Sequence, residues 1–126
     1  MSEFTRPRKV GVIDQRVCDV LGLTISPGTP ILMGPTNVEH MKSSHPEDFE
    51  KYFSELENIL ARPDYLNQHP KDGSIQYIKV FDAHVMAVVR VSSTGVFFAR
   101  SIFEMSNQKL ETYRKKNLLK EYSQDD

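Results

Sequence analysis

The side chains of this 126-residue chain that can carry chemistry are four histidines and a scatter of Lys, Arg, Ser and Tyr. His40 and His45 stand five positions apart across a helix break, His84 opens a strand, and His69 lies in a polar loop. No Cys or further His has metal-ligand spacing. There is no glycine-rich phosphate loop and no serine elbow, so neither metal nor cofactor is expected. What remains suits cleavage of RNA by its own ribose 2′-hydroxyl. A base removes the 2′ proton, an acid protonates the 5′ leaving oxygen, and a cation offsets the charge gathering on phosphorus. Imidazole serves both proton roles near neutral pH, and a guanidinium holds phosphate through two parallel donors. The candidates for catalysis are His40, His45, Lys79, Arg90, Arg100 and Ser101. Those for substrate binding are Tyr77, His84, Tyr113 and Arg114. Each has a plainer reading beside it, as helix cap, solvated strand residue or solvated helix face.

Such residues act only if elements hold them, and the stretch from Ile75 to Phe103 supplies the central ones. Ile75–Phe81, His84–Val91 and Val96–Phe103 are rich in β-branched and aromatic residues, with turn residues between them. A three-stranded antiparallel meander is expected. Reading Asp82-Ala83 as a two-residue loop sets Tyr77 opposite Val88 and Lys79 opposite Met86. One face then carries Ile78, Val80, Val85, Ala87, Val89 and Val91 and packs under helices. The other carries Tyr77, Lys79, His84 and Arg90 and is open to a ligand. Arg100 and Ser101 have opposite parity, so only one faces the site, and a bulge in Ser92–Gly95 decides which.

The rest of the chain makes the whole an α+β domain, with N-terminal helices, the meander and a closing helix. Lys9–Ile13 and Ile31–Met33 are short strands, and Asp14 caps a helix that ends at Gly22. Thr36 and Glu39 form a capping box that opens a short helix bearing His40. Pro46 begins another, with Phe49, Phe53, Leu56, Ile59 and Leu60 on one side, running to Ala61. Pro63–Ser74 is a polar loop. Ser106 caps the last helix, Asn107–Tyr122, which carries the chain's one basic cluster. With 39% hydrophobic and 26% charged residues, the chain is expected to fold as one soluble domain. Its net charge of −1 gives no global pull toward nucleic acid, so such a function needs a local basic patch. Cys18, the single cysteine, reads as a core thiol in a reducing cytoplasm. No apolar run approaches the ~20 residues of a membrane span, and no signal peptide is evident, so a cytoplasmic protein without membrane attachment is expected.

The order of three stretches adds a resemblance. Gly34-Pro35-Thr36-Asn37-Val38-Glu39-His40-Met41-Lys42-Ser43-Ser44-His45-Pro46 precedes a helix ending Ile59-Leu60-Ala61-Arg62-Pro63-Asp64-Tyr65. Tyr77-Ile78-Lys79-Val80 and Val85-Met86-Ala87-Val88-Val89-Arg90-Val91 follow, then Val96-Phe97-Phe98-Ala99-Arg100-Ser101-Ile102-Phe103. This resembles the phage- and mobile-element-associated nuclease domains grouped with barnase, EndoU, the tRNA-cutting colicins and RelE. It covers residues 31–118 and leaves 1–30 as an N-terminal elaboration, with Ile31–Met33 available as a fourth strand. The resemblance implies helices followed by an antiparallel sheet with the active site on its open face. It implies metal-independent cleavage of tRNA or mRNA by a toxin, and a protein antitoxin or immunity partner. By position, His40 and His45 become the acid/base pair, and Lys79, Arg90 and Arg100 or Ser101 the phosphate-holding group. The rival expectation is a non-enzymatic phage or mobile-element protein that binds and regulates a host protein or nucleic acid.

Overall fold

The structure is a computed structural model that describes residues 6–122. It is α+β, but strands come first. Strand β1 (Arg8–Ile13) leads into helix α1 (Gln15–Leu21), whose Asp14 carboxylate accepts from the Val17 N–H at 2.9 Å. Gly22 ends it at φ 66, in the left-handed region that favours glycine. Strand β2 (Thr29–Met33) returns antiparallel to β1. Helices α2 (Pro35–Ser44) and α3 (Pro46–Tyr52) follow, then a 3-10 turn and helix α4 (Leu56–Ala61). Strands β3 (Tyr65–Gln68), β4 (Ile75–Val80), β5 (His84–Val91) and β6 (Phe97–Glu104) complete the centre. Helix α5 (Asn107–Lys115) and the two-residue strand β7 (Lys120–Glu121) close the described chain.

The seven strands form one mixed sheet in the order β1-β2-β6-β5-β4-β3-β7, in which only β2 and β6 run parallel. The meander is therefore its middle and not the whole of it. β1 and β2 are the two short strands expected at Lys9–Ile13 and Ile31–Met33, and they bury Val10, Ile13, Ile31 and Met33 in the common core. β3 lies inside the stretch read as a polar loop. Its Leu66 is fully buried while Asn67 pairs with Gln76 of β4. The last helix stops at Lys115 because Asn117 turns left-handed, at φ 59, and β7 then pairs back onto β3. Asn tolerates that backbone better than most residues.

The β4–β5 register departs from the two-residue loop by one position. Val80 stands opposite His84, so the connection is Phe81-Asp82-Ala83, closed by the Phe81 N–H donating to the Ala83 carbonyl at 2.8 Å. A one-residue slip turns every side chain of one strand over relative to its neighbour. Tyr77 and Lys79 consequently share a face with Val85, Ala87 and Val89, while Ile78 and Val80 share the other with His84, Met86 and Arg90. The first face is the main core, where Tyr77, Val85, Ala87, Val89, Ala99 and Ile102 meet Val17, Leu56, Ile59 and Leu60 from the helices. On the second face Tyr113 and Leu110 of α5 pack on Ile78 and Met86. Among the described residues no helix is long and apolar enough to cross a membrane.

Candidate functional site

The site begins where β2 leaves the sheet. β2 pairs with β6 only at Phe97 and Phe98, and the chain then departs as α2. α2 and α3 pack along the remainder of β6, and the Asp48 carboxylate accepts the edge N–H of Glu104 at 3.0 Å. α2 starts two residues earlier than the Thr36 capping box implies. Pro35 is its first residue, and the Asn37 side-chain oxygen accepts the Gly34 N–H at 2.8 Å. Thr36, Asn37 and His40 thus all lie within the helix.

β6 supplies the opposite wall through an irregularity. Val88 pairs with Ser101 but Val89 pairs with Ala99, which leaves Arg100 as an extra residue. Such a bulge re-aims a side chain out of strict alternation. It lies within β6 and not in the Ser92–Gly95 turn. A cavity of about 320 Å³ results, lined by Thr36, Asn37 and His40 of α2, Phe98 and Arg100 of β6, and Arg90 with Val91 and Ser92 at the end of β5.

Its electrostatics are those of an anion site. Arg90 Nε lies 3.9 Å from a carboxylate oxygen of Asp72 in the β3–β4 turn. Asp72 is held below the usual carboxylate range, mainly because it accepts the Ser74 N–H, with help from His69 and Arg90. Arg100 is half-buried and has no ion pair, hydrogen bond or ring contact among the described residues. A guanidinium partly out of water and without a counter-charge is costly unless a ligand completes it. His40 Nε2 is 3.5 Å from the hydroxyl of Ser44, one turn further along α2. A larger hollow, about 470 Å³, runs along α1 past Asp14, Gln15, Arg16 and Asp19. Its groups are already engaged: Gln15 donates to Asp19, Arg16 donates to the Tyr122 carbonyl, and Asp14 accepts from Val17 and Tyr122.

Of the residues singled out in sequence, the structure brings His40, Arg90 and Arg100 together and leaves the others elsewhere. Lys79 and Tyr77 are corrected to the core side of the sheet by the register slip. Lys79 Nζ donates to the Arg62 carbonyl at 2.7 Å, at the C-terminal end of α4, and Tyr77 is fully buried. The Tyr77 hydroxyl has no partner among the described residues, and burial pushes its pKa far above the ordinary phenol value. Ser101, opposite Val88, faces the same side as Arg90 without lining the cavity. His45 sits between α2 and α3 and stacks on Phe103, ring centroids 4.8 Å apart. Phe103 is five residues along β6 from Phe98, roughly 16 Å away, so the two histidines do not share one pocket. Tyr113 is buried, its hydroxyl donating to Gln76 at 2.9 Å. Asn37 and Phe98 line the cavity and Asp72 pairs with Arg90, and none of the three was singled out in sequence. Asn37 lay inside a stretch read only for capping, and Phe98 follows no polar motif.

His84 lies at the far end of β5 from Arg90, stacked beside Tyr65 at 6.2 Å. Burial, and then the Arg114 charge, hold its imidazole pKa below the ordinary 6.5, against an opposing pull from Asp64. A depressed folded-state pKa means that the unfolded chain binds the proton more readily, so stability falls as pH drops through and below 6.5. The thermal midpoint is expected to decline from pH 7 toward pH 5, and His84→Gln to flatten that slope. An equal slope in the variant would assign the loss to other groups.

A protein-family model described as phage-Barnase-EndoU-ColicinE5/D-RelE like nuclease3 matches residues 8–112. No curated protein and no solved structure shows a significant match. The matched span runs from β1 into α5 and contains every residue that lines the His40–Arg90–Arg100 cavity. With most of its length inside that match, the chain belongs to the phage-Barnase-EndoU-ColicinE5/D-RelE like nuclease family.

Proposed function

We propose that this protein is an endoribonuclease that cuts RNA by attack of the ribose 2′-hydroxyl on the adjacent phosphate, with the reaction centred on the α2–β6 cavity. The observation that carries this reading is the half-buried Arg100, without a partner among the described residues and lining the same cavity as Arg90 and His40. Two guanidinium groups fit a phosphate, and both hold fixed donors toward the charge that builds in the pentacovalent transition state. His40 is the proton-transfer group of the cavity and takes the 2′-hydroxyl proton as the new O–P bond forms. The 5′ oxygen departs as the old O–P bond breaks and takes its proton from solvent. The cavity is lined by cationic and neutral groups, which suits phosphate directly and gives a divalent cation no carboxylate to hold it.

The substrate in this proposal is tRNA or mRNA, the setting is phage or mobile-element conflict, and a protein antitoxin or immunity partner covers the cavity in the producing cell's cytoplasm. Lys79, Tyr77 and Tyr113 act structurally, and His45 stands outside the reacting centre. Product ends test the mechanism. The 5′ fragment is expected to carry a 2′,3′-cyclic phosphate when its terminus is analysed by mass spectrometry early in the reaction. Fragments ending in a free 3′-hydroxyl would contradict attack by the 2′ oxygen.

A further inference from the structure

Arg90 and Arg100 line one cavity but are held differently. Arg100 has no polar partner among the described residues. The Arg90 side chain has one, Asp72, with a carboxylate oxygen 3.9 Å from Nε, and makes no other hydrogen bond, ion pair or ring contact among those residues. Asp72 itself is not part of the cavity wall. It belongs to the turn between β3 and β4, which is tied at several points. The His69 N–H donates to the Ser74 carbonyl and the Gly73 N–H to the His69 carbonyl, each at 2.9 Å. The Lys71 N–H donates to His69 Nδ1 at 3.2 Å, and the Gln68 amide donates to the Gly73 carbonyl at 3.3 Å. Within that turn Asp72 Oδ1 accepts the Ser74 N–H at 2.9 Å, and Oδ2 is the oxygen nearest Arg90 Nε.

Contact at Nε has a particular consequence. Nε carries one N–H and the two terminal nitrogens carry four, so a carboxylate beside Nε favours one guanidinium plane and leaves the terminal pair for a ligand. At 3.9 Å the pair is a charge contact and not a hydrogen bond. It biases a long, flexible side chain without tying the fold together, since exposed pairs contribute little to stability. The charge persists below neutral pH, because accepting the Ser74 N–H holds the Asp72 carboxyl below its usual range. Charge alone would work against the site. A carboxylate near a bound anion repels it, so a merely electrostatic Asp72 weakens phosphate binding, whereas one that orients Arg90 helps the transition state. Rate and affinity therefore separate the two roles.

We infer that Asp72 is a positioning residue for the cleavage, orienting Arg90 from outside the cavity so that both terminal nitrogens meet the phosphate. This rests on the ribonuclease reading. Arg90 is thereby the pre-oriented arm of the clamp, and Arg100 is the arm that only the ligand completes.

Asp72→Asn is the informative variant. It keeps the oxygen that accepts the Ser74 N–H, so the turn stands, and it puts an NH₂ group where Oδ2 faces Arg90. Wild type, Asp72→Asn, Arg90→Gln and the double variant are compared. The readouts are kcat and KM on a short oligoribonucleotide, affinity for inorganic phosphate, the thermal midpoint and the NMR resonance of the Arg90 Nε–H. Asp72→Asn is expected to lower kcat by about tenfold, the scale of a modest misalignment. Phosphate affinity stays equal or tightens, and the midpoint holds. In the Arg90→Gln background, Asp72→Asn lowers kcat no further. The Nε–H resonance, identified by its loss in Arg90→Gln, shifts in Asp72→Asn and exchanges its proton faster. An unchanged kcat in folded Asp72→Asn, an equal loss in the absence of Arg90, or a loss that tracks the thermal midpoint overturns the inference. If wild-type protein cuts no RNA, the ribonuclease reading fails and the Nε–H resonance decides the positioning role. Unmoved by Asp72→Asn, it overturns that role, and shifted, it supports it.

Discussion

Arg100→Met is expected to lower the turnover of RNA by about 10²–10³-fold, the loss seen when one fixed donor to a developing oxyanion is removed. Methionine has a comparable length and no charge, and Arg100 makes no hydrogen bond, ion pair or ring contact among the described residues that its loss would break. The thermal midpoint is therefore expected to hold or rise, because a partly buried, unpaired guanidinium is gone. Arg100→Lys restores charge without the planar fork, so it recovers a part of the rate. Steady-state kinetics beside thermal unfolding separate these effects. A fall in stability that tracks the fall in rate would make Arg100 a structural residue. Arg90 differs, because Asp72 already lies 3.9 Å from its Nε. That carboxylate leaves the terminal nitrogens of the guanidinium free, and as an exposed pair it contributes little to stability.

His40→Gln is expected to cost about 10²–10⁴-fold in kcat, the range for a positioned general acid or base. The side chain's one hydrogen-bond contact among the described residues is with the Ser44 hydroxyl at 3.5 Å, too long to anchor the helix. Gln suits a helix interior, so α2 keeps its form. His45→Gln serves as the comparison. His45 stacks on Phe103 outside the cavity, and its loss is expected to change stability more than rate. Equal rate losses in the two variants would contradict the assignment of proton transfer to His40 alone.

Local chemistry was legible where one residue decides the outcome. Asp14 and Ser106 accept the N–H groups that open α1 and α5, Gly22 ends α1, and Pro46 begins α3, as their types require. The meander was legible from its β-branched runs. Its register was not. Asp82-Ala83 is not one of the pairs that force a two-residue turn, and taking Phe81 into the loop sends Tyr77 and Lys79 to the core face. The placement of Lys79 at the end of α4 follows from that slip and from nothing in its own neighbourhood.

The site was half legible for a related reason. His40, Arg90 and Arg100 were candidates by type, but what assembles them is non-local. β2 leaves β6 after two pairs, α2 takes its place, and the bulge leaves Arg100 out of strict alternation. Parity counting assumes strict alternation and cannot see a bulge within the strand. Asn37 was hidden because its stretch was read with Thr36 as the helix cap, two residues beyond the Gly34 at which α2 begins.

The most direct test of the central claim is digestion of total tRNA and a long mRNA by purified protein in EDTA, beside folded Arg100→Met. The cavity chemistry predicts cleavage that survives EDTA, leaves 2′,3′-cyclic phosphate ends and is lost in the variant. Well-folded wild-type protein that cuts neither RNA, or a variant that cuts as well as wild type, would contradict it.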